Sequence, residues 1–169
     1  MKKIIIVLLL VISICPELIA QQGMKNSKVP AVQIKTMDGS TFNTSKFSNG
    51  TKYYIIDFWA TWCKPCVAEL DAISENYADW QKQTGVKLIA ISVDDARTMS
   101  KVAPFIKEKG WAYESYLDPN QDFQRAMQVI NCPCVFIVDA SGQIVWVHNS
   151  YMEGDEDKLF DALKKFVKK

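Results

Sequence analysis

Seven residues, "YYIIDFW" from Tyr53 to Trp59, form an apolar and aromatic run broken by one aspartate, and three residues later the chain reads "CKPC". A run without alternation is the pattern of a strand buried on both faces. From Lys64 to about Gln83 the apolar positions change period: Val67, Leu70, Ile73, Tyr77 and Trp80 fall on one side of a helix, which Gly85 ends. "VKLIAISV" then supplies a second buried strand. Strand, helix and strand in that order demand a sheet with helices on its faces, and so an α/β fold.

The flanking sequence extends this layout. "AVQIKTM", "DGS" and "TFNTSKF" predict a hairpin with its turn at Asp38-Gly39. A helix is expected over 98–109, bent near Pro104 and closed by Gly110. "AYESYL" reads as a short strand, and "NQDFQRAMQV" as a helix. "CVFIVD" and "QIVWVH" flank a turn at Ala140-Ser141-Gly142 and predict a second hairpin. "DEDKLFDALKKFVKK" is an amphipathic last helix, with acids in its first turn and lysines in its last. The sheet is therefore expected to be mixed.

The chain opens with Lys2 and Lys3, a 12-residue apolar run "IIIVLLLVISIC", then "PELIA". That is the pattern of a secretory signal peptide cleaved after Ala20. The run falls short of the roughly 20 residues that span a bilayer. Ile14 stands where a lipid attachment at Cys15 calls for a small residue. Residues 21–28 read as a polar leader, and 29–169 as one domain with its own core. With 20 basic and 19 acidic residues and no basic run, nothing favours nucleic acid.

Cleavage leaves Cys63, Cys66, Cys132 and Cys134. Secretion permits disulfides, but a bridge across two residues closes too short a loop to stabilise much. A Cys63–Cys66 pair is better suited to chemistry. Cys63 falls where strand gives way to helix, and the free N–H groups and dipole of the helix start favour its thiolate. Lys64 adds a positive charge. Pro65 sits in the first turn, where its missing N–H costs nothing. Cys66 lies one turn deeper on the same face. An exposed, acidified sulfur with a sheltered one behind it suits thiol–disulfide exchange: the first attacks, the second resolves the mixed disulfide. The C-x-x-C pair alone is also compatible with half a metal site or an inert pair.

"IIDFWATWCKPC" closely resembles the active-site strand and helix start of thioredoxins. "VPAVQIKTMDGSTFNTSKF", "LIAISVDD", "NCPCVFIVDASGQIVW" and "GDEDKL" follow in the order of the secreted thioredoxin-like branch called TlpA/ResA-like, over about residues 29–167. The resemblance implies a thioredoxin-like mixed sheet flanked by helices, an added N-terminal β-hairpin, and a strand–helix insertion near 113–129. It also implies reduction of protein disulfides in the envelope, for example in cytochrome c maturation factors, fed by an upstream electron donor. No cofactor is implied, and a monomer is expected.

Two acids stand close to this chemistry. An unpartnered carboxylate in a buried strand costs several kcal/mol as the anion. Asp57 would therefore tend to stay protonated and, whenever ionised, be a base strong enough to take the proton of Cys66, as the match to thioredoxin's buried aspartate implies. An aspartate at an open strand edge would have no such role. Glu69, three residues after Cys66, lies one turn along nearly the same face. It matches a glutamate of the TlpA/ResA-like branch tied to proton transfer; on spacing alone it is equally a solvated helix residue. That branch carries asparagine where Asp57 stands, so which acid handles the proton stays open.

"NCPC" at 131–134 departs further from the pattern. Pro133 aligns with the family's cis-proline in the partner-binding groove, and Cys132 replaces the threonine that precedes it. A third sulfur beside Cys63 is the implication; small buried residues are the plainer reading of Cys132 and Cys134. The two are too close in extended chain to bridge each other. Trp59 is expected in the core, and Trp62 exposed beside Cys63 as a partner contact. Asp94 and Asp95 are expected to cap the helix that follows. His148, the only histidine, lacks the partners of a metal site or triad. A thiol oxidase, a thiol peroxidase and a cysteine-based metal-binding module are the alternative functions.

Overall fold

The computed structural model describes Met24, residues 26–48 and residues 50–168 of the 169-residue chain. The expected signal segment, 1–20, lies outside the described residues. Seven strands form one sheet: β1 (Gln33–Lys35), β2 (Thr41–Asn43), β3 (Tyr53–Trp59), β4 (Lys87–Ser92), β5 (Glu114–Leu117), β6 (Cys134–Asp139) and β7 (Ile144–Asn149). Four helices accompany them: α1 (Lys64–Thr84), α2 (Val102–Lys109), α3 (Asp122–Ala126) and α4 (Asp155–Val167). The strand order is β2-β1-β5-β4-β3-β6-β7. β4 runs parallel to β3 and to β5, while the other pairs are antiparallel. The mixed sheet is as the residue pattern predicts, and the N-terminal hairpin joins it through Lys35 opposite Leu117.

β3 lies inside the sheet between β4 and β6, and its residues alternate between two packed layers. Trp59 meets Phe105 of α2 and Trp111, with ring centroids at 5.8 and 5.0 Å. Phe58 turns the other way, to Phe123 of α3 and Phe136 of β6. Both are fully buried, which is why this strand carries no polar alternation. α1 and α4 pack on the Trp59 side, where the Trp80 and Phe160 rings stack at 4.7 Å. Fully burying side chains of this size contributes about 1.5–3 kcal/mol each.

Three helix boundaries carry a physical cause. α1 ends because Gly85 takes φ +67°, a left-handed conformation that costs glycine no side-chain clash. Residues 98–109 do not bend at Pro104; a 3-10 turn, Met99–Lys101, changes to α-helix at Val102, and Pro104 sits in the first α turn. α3 is only five residues long, against the ten expected, because Gln121 and Gln128 bracket it with φ of +58° and +55°.

Within the expected leader, Met24 is buried, and the chain pairs with the start of β7. Asn26 N–H donates to the Ile144 carbonyl at 2.8 Å, and Ile144 N–H to the Ser27 carbonyl at 2.9 Å. Among the described residues, no helix is long and apolar enough to cross a membrane.

Candidate active site

The C-terminal ends of β3 and β7 and the start of β6 meet at one end of the sheet: Phe58 faces Cys134, and Cys134 faces Asn149. The chain leaves β3 there through Ala60, Thr61 and Trp62 and enters α1 at Cys63. Cys63 is the helix N-cap, in extended backbone, and its sulfur accepts the Cys66 N–H at 3.3 Å. One free backbone donor of the helix start thus reaches the sulfur, an arrangement that favours a thiolate there. Cys63 and Cys66 form a disulfide with Cα atoms 5.3 Å apart. Cys66 is wholly enclosed, but Cys63 retains only 6% exposure, less open than the sequence reading had it. Lys64, Pro65 and Trp62 are exposed around it, Trp62 at 63%.

Asp94 holds this turn in place. Its Oδ2 accepts the Thr61 N–H at 2.8 Å and the Ser92 hydroxyl at 2.9 Å, and its Oδ1 accepts the Thr61 hydroxyl at 2.6 Å. The expectation that Asp94 caps the next helix is therefore corrected, since its carboxylate points back to the segment before Cys63. Asp95 stays on its own side, paired with Arg97 and accepting backbone N–H groups at 98 and 99. No pattern in the linear sequence marks Asp94, because its partner lies 33 residues away.

Asp57 is fully buried on β3, and neither carboxyl oxygen has a hydrogen-bond partner. The open-edge alternative is excluded by the strand's place between β4 and β6. Glu69 is buried as well, 1% exposed with Oε2 unpartnered, so it is not a solvated helix residue. Burial drives both acids well above the ordinary carboxylate range. Glu69 is raised further by the charge of Asp57, and then by those of Asp155 and Glu156 at the start of α4. Glu69, pushed up to about 10, is therefore a neutral acid at pH 7, and Asp57 holds its proton well above the ordinary carboxylate range.

Cys132 is half-buried and Cys134 buried, and neither is bonded to another sulfur. The peptide between Cys132 and Pro133 is cis. The Cys134 thiol donates to Asn149 Oδ1 at 2.8 Å, and the Pro133 carbonyl accepts the Ser150 N–H at 2.9 Å. Burial raises both thiols, Cys132 to about 12, with the Asp57 charge second. Among the described residues, three large apolar side chains stay exposed: Trp62 at 63%, Ile130 at 84% and Met152 at 73%. Each lies in a loop at this same end of the sheet, next to β3, β6 and β7 respectively. Ile130 and Met152 were not singled out in the sequence, where an isolated apolar residue in a loop carries no signal. His148 has its ring stacked with Trp146 and its Nε2 3.2 Å from Asp155 Oδ2. Among the described residues, no group of three His, Cys, Asp or Glu side chains is arranged to hold a metal ion.

A thioredoxin-like sheet with a disulfide at the N-terminus of the helix that follows an interior strand defines a thiol–disulfide oxidoreductase. Residues 26–147 match the AhpC/TSA family. The chain is 26% identical over 142 residues to thiol-disulfide oxidoreductase ResA of Bacillus thuringiensis subsp. konkukian, spanning 84% of this chain and 76% of that protein. It is 30% identical over 127 residues to sporulation thiol-disulfide oxidoreductase A of Bacillus subtilis, spanning 74% of each. The solution structure of a thioredoxin-like protein from Porphyromonas gingivalis superposes with a TM-score of 0.75 at 49% identity, covering 85% of this chain and 94% of that one. The chain belongs to the AhpC/TSA family, among its thiol–disulfide oxidoreductases.

Proposed function

We propose that this protein works outside the cytoplasm and reduces disulfides of partner proteins through Cys63 and Cys66. The observation that carries the reading is Cys63 as N-cap of α1, bridged to an enclosed Cys66 above two buried, unpartnered acids. Cys63 attacks a partner disulfide as the thiolate. Cys66 then gives up its proton and attacks Cys63, releasing the partner as a thiol. The ionised form of Asp57 or Glu69, made a stronger base by burial, takes that proton: Asp57 lies wholly inside, and Glu69 stands one turn beyond Cys66. Trp62, Lys64 and Pro65 on the rim, with Cys132 and Pro133 opposite, receive the partner. The charged, apolar and small-residue pattern of residues 1–20 supports export, and an envelope dithiol donor would return the electrons.

The deciding measurement is the equilibrium potential of the Cys63/Cys66 couple, with turnover of insulin disulfides in the presence of a small dithiol. A potential in the reducing range of thioredoxin, about −270 mV, supports the reductase. A potential near the oxidant DsbA, about −120 mV, makes the protein a thiol oxidase instead. Rapid consumption of hydroperoxide by the reduced protein, without insulin reduction, makes it a peroxidase.

A further inference from the structure

The exchange chemistry proposed above leaves two free thiols unused, and one of them stands at the reacting end of the sheet. Cys134 opens β6 opposite Phe58 of β3. Cys132 enters β6 through the cis peptide to Pro133, at the end of the sheet where β3 leaves toward Cys63, and the Ala60 carbonyl just after β3 accepts the N–H of Cys63 at 3.0 Å. The two thiols differ in freedom. Cys134 is 1% exposed and its S–H is engaged by Asn149. Cys132 is half-buried and packs against the hydrophobic core, to which Cys63 and Cys66 also belong.

We propose that Cys132 is a second resolving thiol, which releases Cys63 from a mixed disulfide when Cys66 does not. The inference rests on the exchange reading of Cys63. In the step, the Cys132 sulfur attacks Cys63 Sγ, the bond from Cys63 to the partner sulfur breaks, and a Cys63–Cys132 disulfide forms. The Cys132 sulfur is oxidised and the partner sulfur reduced. The proton lost by Cys132 passes through solvent to the departing thiolate, so no further oxidant is needed. Burial, then the Asp57 charge, holds the Cys132 thiol at about 12. Little of it is thiolate near neutrality. Cys66, which already bridges Cys63 in the closed protein, resolves first, and Cys132 acts on complexes that Cys66 has failed to open.

The test uses the full chain with Cys66→Ser, reduced and then exposed to oxidised glutathione. Samples are acid-quenched over time, alkylated after unfolding and mapped by mass spectrometry without reduction. Glutathione is expected on Cys63 first, followed by its loss and a cross-link to the peptide carrying Cys132. Adding Cys132→Ser should lengthen the life of the Cys63 adduct at least tenfold and abolish the cross-link. Adding Cys134→Ser instead should preserve the cross-link, which assigns it between two cysteines on one peptide. A stable Cys63 adduct with Cys132 fully alkylated overturns the proposal, as does a cross-link that survives Cys132→Ser. If Cys63 takes up no glutathione at all, the exchange reading itself fails, and this inference with it. Should Cys66→Ser not fold, Cys66→Ala serves for the same measurement.

Discussion

Thr61 is fastened to Asp94 twice, through its N–H at 2.8 Å and its hydroxyl at 2.6 Å, and this bracket sets the turn that delivers Cys63 to the start of α1. Asp94 is completely buried. Removing its carboxylate leaves the Thr61 N–H and the Ser92 hydroxyl without an acceptor, each costing about 1–3 kcal/mol if left unsatisfied. Asp94→Ala should lower unfolding stability in urea by several kcal/mol and slow alkylation of Cys63. Thr61→Val deletes only the hydroxyl and should cost about 1 kcal/mol. Equal losses in the two variants would show that the backbone bond to Asp94 contributes nothing.

The reduced protein should be alkylated first at Cys63. A helix-start donor acts on that sulfur, while Cys66 is enclosed. Brief iodoacetamide treatment at mildly acidic pH, followed by peptide mapping, reads the order directly. Preferential labelling of Cys66 would reverse the assignment of attacking and resolving thiols.

The buried acids make a definite statement about pH. Their folded pKa values lie above the unfolded ones, Glu69 at about 10 against 4.5. The folded protein then binds more protons than the unfolded chain, and stability falls as pH rises through that window, by about 1.4 kcal/mol per pH unit for each such group. The full contribution is present below about pH 4 and lost above the folded pKa. Asp57→Asn should therefore stabilise the oxidised protein at pH 7 and flatten its stability curve above the ordinary carboxylate range on chemical denaturation. It should also slow resolution of the mixed disulfide, which stopped-flow fluorescence can follow. Unchanged slopes in both Asp57→Asn and Glu69→Gln would mean that neither acid is protonated in the fold.

Partner contact should depend on the exposed apolar rim. Trp62→Ala and Met152→Ala are each expected to reduce kcat/KM for insulin reduction about five- to thirtyfold, the range of an interface residue contributing 1–2 kcal/mol. Reaction with a small disulfide should be nearly unaffected, because it does not reach these side chains. Parallel losses on both substrates would point to damage at Cys63 rather than to docking.

The sequence revealed β3, α1 and the sulfur pair because each is a local pattern: an unbroken apolar run, a helical period, and two cysteines one turn apart. The burial of Asp57 also followed from its strand. Glu69 was ambiguous in the linear chain, since its spacing says which side of α1 it occupies but not that α4 covers that side. Asp94 was misjudged for a related reason: a carboxylate after a strand and before a helix looks like a cap, and only the tertiary path brings Thr61 to it. The short α3 shows the limit of propensity, because "NQDFQRAMQV" favours helix throughout while left-handed backbone at Gln121 and Gln128 stops it on both sides.

The stitching of residues 26–28 to the start of β7 has an engineering consequence. Ile144 pairs with Val138, which faces Tyr54, so this entry point lies at the pole of the sheet away from Cys63. The exit lies there too, since Lys52, just before β3, bonds the carbonyl of Val167 at the end of α4 at 3.1 Å. A β7 of six residues separates the two poles by roughly 17 Å of strand. Immobilisation on a bead, a fluorescent fusion or a tandem copy joined at either end of the domain will therefore leave the disulfide facing outward and free to trade electrons.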